Sequence, residues 1–488
     1  AFQPADGPPP DTLWAFFRWA LRGAMPVLWV AGLLSALAGT LEVVTALVLG
    51  RVIDTALQSG PAEYFAENWL LLSVFVAFFV VLRPVSFGIS AAANAIVVQP
   101  NVTPLVLSRL NRWTLGQSVT FFDDDFAGRI AQKQMQAARA LTDVASEVIN
   151  VGFFAIASLI GSALLLTTID WRIALALAIW LVGYFALIRV FLPEIRRRSA
   201  IRAGARAMVS GQVVDTITNI KTVKLFALAD HEDRAALGAM EEFRQKALHF
   251  GWMAAAFRLA LMTLAGTLPV LLIGGTLLLW RQGMASPGDI AAAGAVSIRV
   301  AQMTGWVSFT LMAIYSNVGE VEDGMRTLAR PVRLPDAEGA RDLDGAGPIR
   351  FETVGFAYGR QTGGVDGIDL CIEPGEKVGI VGASGAGKST LVSLLLRFYD
   401  PETGRITIAG QDIRDLTQES LRRGIGMVTQ ETAMFNRSAR ENILYGRPEA
   451  SEDEMIAAAR RAEAHEFIQD LQDHTGRQGY DAHLGERG

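Results

Sequence analysis

Apolar stretches of about 20 residues or more recur along the chain until about residue 318 and then stop. Six such stretches stand out, over 25–50, 68–98, 145–169, 171–192, 253–280 and 290–317. Each is long enough to cross a hydrocarbon layer of about 30 Å as a helix, which satisfies its own backbone polar groups. The segments between them are polar yet keep helical spacing at 105–113, 130–146 and 200–228. The spanning helices are therefore expected to run on past the apolar zone. Pro100 and Pro104 fall in the first of these extensions and should kink it. Ahead of the first span, residues 12–22 mix Trp14, Phe16, Phe17 and Trp19 with Arg18 and Arg22. That pattern predicts a short amphipathic helix at the membrane surface, too short and too polar for a seventh span.

Near residue 325 the pattern changes to Pro, Gly, Asp and Arg, including Pro331, Pro335, Gly345 and Pro348. This reads as a linker. Beyond it, short β-branched runs alternate with turns and helical segments, as in an α/β domain. The predicted organisation is a surface helix over 1–23, a six-helix transmembrane domain over 24–324, a linker over 325–348 and an α/β domain over 349–488.

Composition and charge sharpen this picture. Of the 488 residues, 51% are hydrophobic and only 19% charged, against about 25% charged in soluble domains. Intrinsic disorder is excluded by that apolar content. A net charge of −5 gives no footing for a nucleic-acid partner, and the lone Cys371 cannot form an internal disulfide. Positive charge concentrates after the second span (Arg109, Arg112, Arg129, Lys133, Arg139) and after the fourth (Arg196, Arg197, Arg198, Arg202, Arg206, Lys221, Lys224). The opposite connections carry Arg51, Arg172 and Arg281. The positive-inside rule then puts the long loops and both chain ends in the cytoplasm.

The strongest motif is Gly382-Ala383-Ser384-Gly385-Ala386-Gly387-Lys388-Ser389-Thr390, which fits G-x-x-x-x-G-K-[ST]. Residues 377–381 before it read as a strand and 389–398 after it as a helix. Glycines let successive N–H groups face one anion at a helix start whose dipole favours negative charge. Lys388 is expected to reach the β- and γ-phosphates of ATP, and the Ser389 hydroxyl to ligate Mg²⁺.

With this motif in its context, the chain resembles the ATP-binding cassette exporters in which a six-helix membrane domain precedes an α/β P-loop nucleotide-binding domain. Phe351 through Tyr358 is similar to the family's adenine-contact segment. There Tyr358 would stack on the base; a tyrosine packing on the sheet is the alternative. Pro374-Gly375-Glu376 is similar to the turn that feeds the phosphate loop. Met427-Val428-Thr429-Gln430-Glu431 resembles the glutamine loop, whose Gln430 would contact Mg²⁺ and the attacking water. Phe435 and Glu441-Asn442-Ile443 continue that match, and Gly485-Glu486-Arg487-Gly488 resembles the segment just before LSGGQ. In the membrane half, Phe121-Phe122-Asp123 through Gly128-Arg129 and Asp215 through Phe226 resemble the two loops that carry coupling helices. LSGGQ, the Walker B aspartate–glutamate pair and the switch histidine do not occur in the 488 residues, so the chain is expected to be a fragment of a longer one, with an incomplete nucleotide-binding domain.

Charges within the apolar runs need their own reason, since one at mid-bilayer costs about 2.5–3.5 kcal/mol on insertion scales. Arg258 is expected to snorkel, and Arg83, beside Pro84, to lie at the inner interface or mark a kink. Arg299, Gln302, Met303, Trp306 and Thr310 share one helical face. That face is expected either to line a substrate cavity, with Glu42 as counter-charge, or to pair Arg299 across a helix interface. The resemblance implies a dimer with a second half-transporter subunit, identical or different. It implies contact with membrane lipids, a bacterial inner-membrane location, and ATP-driven export of a small-molecule, lipid or peptide substrate. The alternative is an ATP-gated channel or a catalytically degenerate regulatory subunit; an importer is disfavoured by the fused domain order.

Overall fold

The apolar runs form helices far longer than the runs themselves. The computed structural model describes residues 2–5, 7–123, 127–330, 334–358, 364–429 and 434–485. They fall into two units, one ending at Leu334 and one beginning at Pro335. In the first, α1 (Leu13–Leu21) precedes the 43-residue α2 (Met25–Glu67), which bends at Gly60, where φ is +71°. A continuous rod follows: α3 (Trp69–Ala77), α4 (Arg83–Ala92) and α5 (Gln99–Leu115), joined by π-turns at Phe78–Leu82 and Ala93–Val98. After α6 (Val119–Asp123), α7 (Ala127–Glu147) continues through a third π-turn, Val148–Phe153, into α8 (Phe154–Ile169). Then come α9 (Trp171–Thr218), α10 (Ile220–Leu225), α11 (Ala229–Arg281) and α12 (Pro287–Leu328).

Two of the π-turns have a steric cause. A proline ring clashes with the carbonyl four residues earlier in a regular helix. For Pro84 and Pro100 those carbonyls belong to Val80 and Ile96, both inside π-turns. The distortion expected at Pro100 is thus absorbed by a wider turn just ahead of it, and α5 continues helical through Pro104.

Among the described residues, five helices are long and apolar enough to cross a membrane, over Met25–Gly60, Trp69–Leu115, Ile130–Ile169, Trp171–Thr218 and Ala229–Arg281. The sixth expected span lies on α12, which has the length, at 42 residues, but not the apolarity. Its buried positions include Gly294, Ser297, Thr304, Gly305 and Ser308, small or hydroxylated residues that lower hydropathy while allowing close approach. α12 packs against α7, α11 and α2, while α9 pairs with α11 and α2 with α8. A Cβ on Gly324 would lie 2.6 Å from that of Ala137, so the α12–α7 crossing depends on the missing side chain.

Leu328, Leu141, Leu110 and Phe16 share one buried cluster from α12, α7, α5 and α1. The segment read as linker from residue 325 is therefore helical up to Leu328, with Met325 and Leu328 buried, and no Gly or Pro interrupts it there. The N-terminal surface helix is tied down as well. Arg109 of α5, 4% exposed, donates to the carbonyls of Trp19 (2.8 Å), Ala20 (2.9 Å), Arg22 (2.7 Å) and Gln3 (3.2 Å). It thus supplies donors to the end of α1, where the last carbonyls of a helix lack intrahelical partners.

The second unit holds one antiparallel sheet, in the order β2 (Val365–Ile372), β1 (Ile349–Phe356), β3 (Thr403–Ile408), β4 (Gln411–Asp412). Phe351 faces Leu370 on one side and Ile406 on the other. Helix α13 (Lys388–Leu395) buries Leu394 completely in the same core, with Leu421 of α14 (Gln418–Arg423). Arg397, 3% exposed, binds Asp400 (3.0 Å) and the carbonyls of Leu416 and Pro335. A smaller cluster joins α15 (Ala439–Leu444), α16 (Glu452–Arg461) and α17 (His465–Gln469) through Ala439, Ala459 and Ile468.

The strand expected at 377–381 is not formed. That run and 425–429 carry no regular secondary structure, and neither joins a ladder among the described residues; a strand needs a neighbour about 4.8 Å away. Val381 and Val428 are accordingly 93% and 97% exposed.

Candidate nucleotide loop and membrane cleft

Between the extended run and α13 the chain curls. Gly385 and Gly387 take φ of +82° and +85°, a region that favours glycine. At Gly387 the reason is also spatial, since a Cβ would come 2.6 Å from both the Gly364 carbonyl oxygen and a Val365 methyl. Gly387 is the N-cap of α13, and no side chain caps the helix start. The first N–H groups of a helix have no intrahelical partner, and they lie at the end where the helix dipole favours an anion.

Lys388 folds back on this loop, its Nζ donating to the carbonyls of Gly382 (2.8 Å) and Ala383 (2.7 Å). Ser384, Ala386 and Ser389 are exposed around the curl, whereas Thr390 is buried. The Thr390 hydroxyl lies 3.2 Å from that of Tyr358, so the tyrosine is brought to the first turn of α13. The Tyr358 ring packs edge-on against Phe356 and Tyr399, at 4.7 and 5.2 Å between centroids, while 45% of the residue stays exposed.

Gln430 and Glu431 lie outside the described residues, as do Glu486, Arg487 and Gly488. The segment after them is well built. Asn442 accepts from the Phe435 N–H (2.9 Å) and donates to the Phe435 and Ser438 carbonyls, while Ser438 and Glu441 form a capping box for α15. Of the two coupling-loop matches, Phe121 is buried on α6, and α10 buries none of its residues.

The first unit contains a cleft of about 400 Å³ lined by Arg299, Gln302, Met303 and Trp306 of α12, with Phe87 and Ser90 of α4, Phe154, Asn150, Ala38 and Ser35. Four of the five residues expected to share a face therefore line one cleft. Thr310 does not; it lines an apolar cavity of about 360 Å³ with Tyr184 and Phe185. It shares the helical face, but lies about 6 Å further along α12 than Trp306.

Glu42 is the buried centre of an ion cluster. Its Oε2 accepts from Arg299 Nη1 at 3.0 Å, and its Oε1 from Arg83 Nε and Nη2, both at 2.9 Å. Arg299 lines the cleft and also pairs with Glu42 across helices. From the sequence, Arg83 reads as an interface or kink residue. It does follow a π-turn, but its role as second partner of Glu42 was not visible, because sequence spacing does not show which helices touch. The guanidinium of Arg258 lies 5.9 Å from the Phe309 ring centre.

The comparisons with known proteins fit this architecture. Residues 28–300 match the ABC transporter transmembrane region, more than half of the chain, and residues 365–481 match the ABC transporter family model. An ABC transporter ATP-binding protein of Haemophilus influenzae, itself uncharacterised, is 36% identical over 98% of this chain and 78% of its own length. A beta-(1→2)glucan export ATP-binding/permease protein of Nitrobacter winogradskyi is 30% identical over 90% of this chain and 72% of its own. A bacterial Atm1-family ABC exporter with ATP bound has a similar fold, with a TM-score of 0.81 at 23% identity over 96% of this chain and 81% of that one. The chain is an integral membrane protein of the ABC transporter family, with the membrane region and the ATP-binding region fused in that order.

Proposed function

We propose that this chain is one half of a dimeric exporter, in which ATP held by the second unit drives a small or amphipathic molecule across a bacterial inner membrane. The observation that carries this reading is the union in one chain of membrane-length helices with a glycine-curled loop whose helix start has no side-chain cap. Relatives named for glucan export and multidrug export support it, as does the fold shared with an Atm1-family exporter.

In this reading the backbone N–H groups of Ser384 to Lys388 cradle the β-phosphate. Lys388 exchanges the Gly382 and Ala383 carbonyls for the β- and γ-phosphates, and Thr390 supports the helix start. Tyr358 offers its exposed face to the base. The exposed Ser389 hydroxyl at the loop suits a hard cation such as Mg²⁺, with Gln430 as the other expected ligand. Bound there, Mg²⁺ supplies positive charge to the phosphates. Energy enters as differential affinity: moving a two-state membrane unit from 1:99 to 99:1 requires ATP to favour one state by about 10⁴.

The test is equilibrium binding of a fluorescent ATP analogue with Mg²⁺ to the full chain in lipid nanodiscs. Lys388→Ala should weaken binding by about 10–100-fold, the loss of charge-assisted hydrogen bonds worth about 1.5–3 kcal/mol. Equal affinity in both forms, or none in the parent, overturns the reading.

A further inference from the structure

The Glu42 cluster is unbalanced. Two guanidiniums share one carboxylate across α2, α4 and α12, leaving a formal charge of +1 in a helical unit whose α2 and α3–α5 rod are long and apolar enough for a membrane. An uncompensated charge there is costly, and an anion offsets it. The carboxylate is shut away at 4% side-chain exposure, whereas Arg299 and Arg83 keep 33% and 36%. Solvent or a ligand therefore meets the positive side of the cluster.

Three further observations converge on the same place. Arg299 and Gln302 line both the 400 Å³ cleft and an adjoining cavity of about 210 Å³. Ser158 lines that second cavity, is completely buried, and its hydroxyl has no hydrogen-bond partner among the described residues. A buried hydroxyl without a partner is a group that normally finds one. The cleft is also aromatic: the Arg299 guanidinium sits 5.5 Å from the Phe154 ring centre, and Phe154 meets Trp306 edge-on at 5.9 Å. The wall thus joins a planar fork of donors, suited to carboxylate, phosphate or sulfonate, to flat apolar surfaces.

We infer that the transported molecule is an anionic amphiphile, whose acidic group Arg299 binds with Gln302 while its apolar body lies against Phe87, Phe154 and Trp306. This deepens the export reading and rests on it. Glu42 acts as a built-in competitor that occupies Arg299 until the anion arrives.

The probes are a matched pair, 2-naphthalenesulfonate and trimethyl(2-naphthyl)ammonium, titrated against the full chain in nanodiscs by quenching of tryptophan fluorescence. The sulfonate should bind at least tenfold more tightly than the ammonium. Arg299→Gln, which leaves Glu42 paired with Arg83, should erase that preference, and Glu42→Gln should enlarge it. Should Glu42→Gln fail to fold, the parent gives a second readout: the sulfonate raises its melting temperature and the ammonium does not. Equal or tighter binding of the ammonium, a preference unchanged by Arg299→Gln, or stabilisation by the ammonium alone overturns the inference. No anion preference in the parent protein, with its ATP-driven flux intact, defeats this inference alone. Anion preference without any ATP-driven flux defeats the export reading and leaves an anion site.

Discussion

Replacing Gly387 by alanine separates two demands made on the phosphate loop. At φ +85° an alanine pays the left-handed penalty of about 1–2 kcal/mol. Its methyl would also lie 2.6 Å from the Gly364 carbonyl oxygen and from a Val365 methyl, and the first of these is backbone that cannot swing aside. Overpacking of this kind costs typically about 1–3 kcal/mol. Gly385 is the internal control, because its φ of +82° is nearly the same and nothing lies within 4 Å of a Cβ there. The difference between Gly387→Ala and Gly385→Ala therefore isolates the steric part, about 1–3 kcal/mol. For a unit of this size that corresponds to roughly 2–12 °C in melting temperature. The assay is calorimetry of the full chain without nucleotide, following the transition of the second unit. Equal shifts for the two variants would refute the claim that the loop is braced against the start of β2.

Other substitutions probe the supports of the two units. Arg109→Ala removes the donors to the end of α1 and leaves its carbonyls without those partners, at an expected cost of about 1–3 kcal/mol. Hydrogen exchange should rise across 13–21, and unchanged protection there would contradict the clamp. Asp54→Ala deletes the acceptor of the Gly288 N–H (2.7 Å) and the Ser286 hydroxyl (2.8 Å) at the start of α12, costing about 1–2 kcal/mol, as read by thermal unfolding. Asn442→Ala should free the Phe435 backbone, with faster exchange over 435–438 and a loss of about 1–3 kcal/mol in the second unit.

Much of this molecule is legible because membrane helices announce themselves by uninterrupted apolar length. That signal located α2, the α3–α5 rod, α8, α9 and α11, since each must satisfy its backbone internally and cover itself with apolar side chains. It weakened at α12, where Arg299 and Gln302 interrupt the apolar run and Gly, Ser and Thr share the buried face with Ala and Val. The phosphate loop is local in sequence, so its spacing alone revealed Gly385, Gly387 and Lys388. The Glu42–Arg83–Arg299 cluster joins three helices, and only folding shows that the three meet. Arg109 was counted as a loop charge, although its neighbours Leu105, Val106, Leu110 and Trp113 on α5 are apolar, a hint that the guanidinium is buried. The extended run at 377–381 has strand-like composition, yet pairing depends on a neighbour that composition does not report.

The central claim is that nucleotide at the Gly382–Thr390 loop drives transport through the helical unit. Its most direct test uses inverted vesicles carrying the full chain, supplied with Mg²⁺ and ATP and a panel of labelled lipids, drugs, peptides and thiol conjugates. The account predicts ATP-dependent accumulation of at least one compound, abolished by Lys388→Ala and absent when a non-hydrolysable analogue replaces ATP. Accumulation that persists in Lys388→Ala, or no ATP-dependent accumulation of any compound, would contradict it.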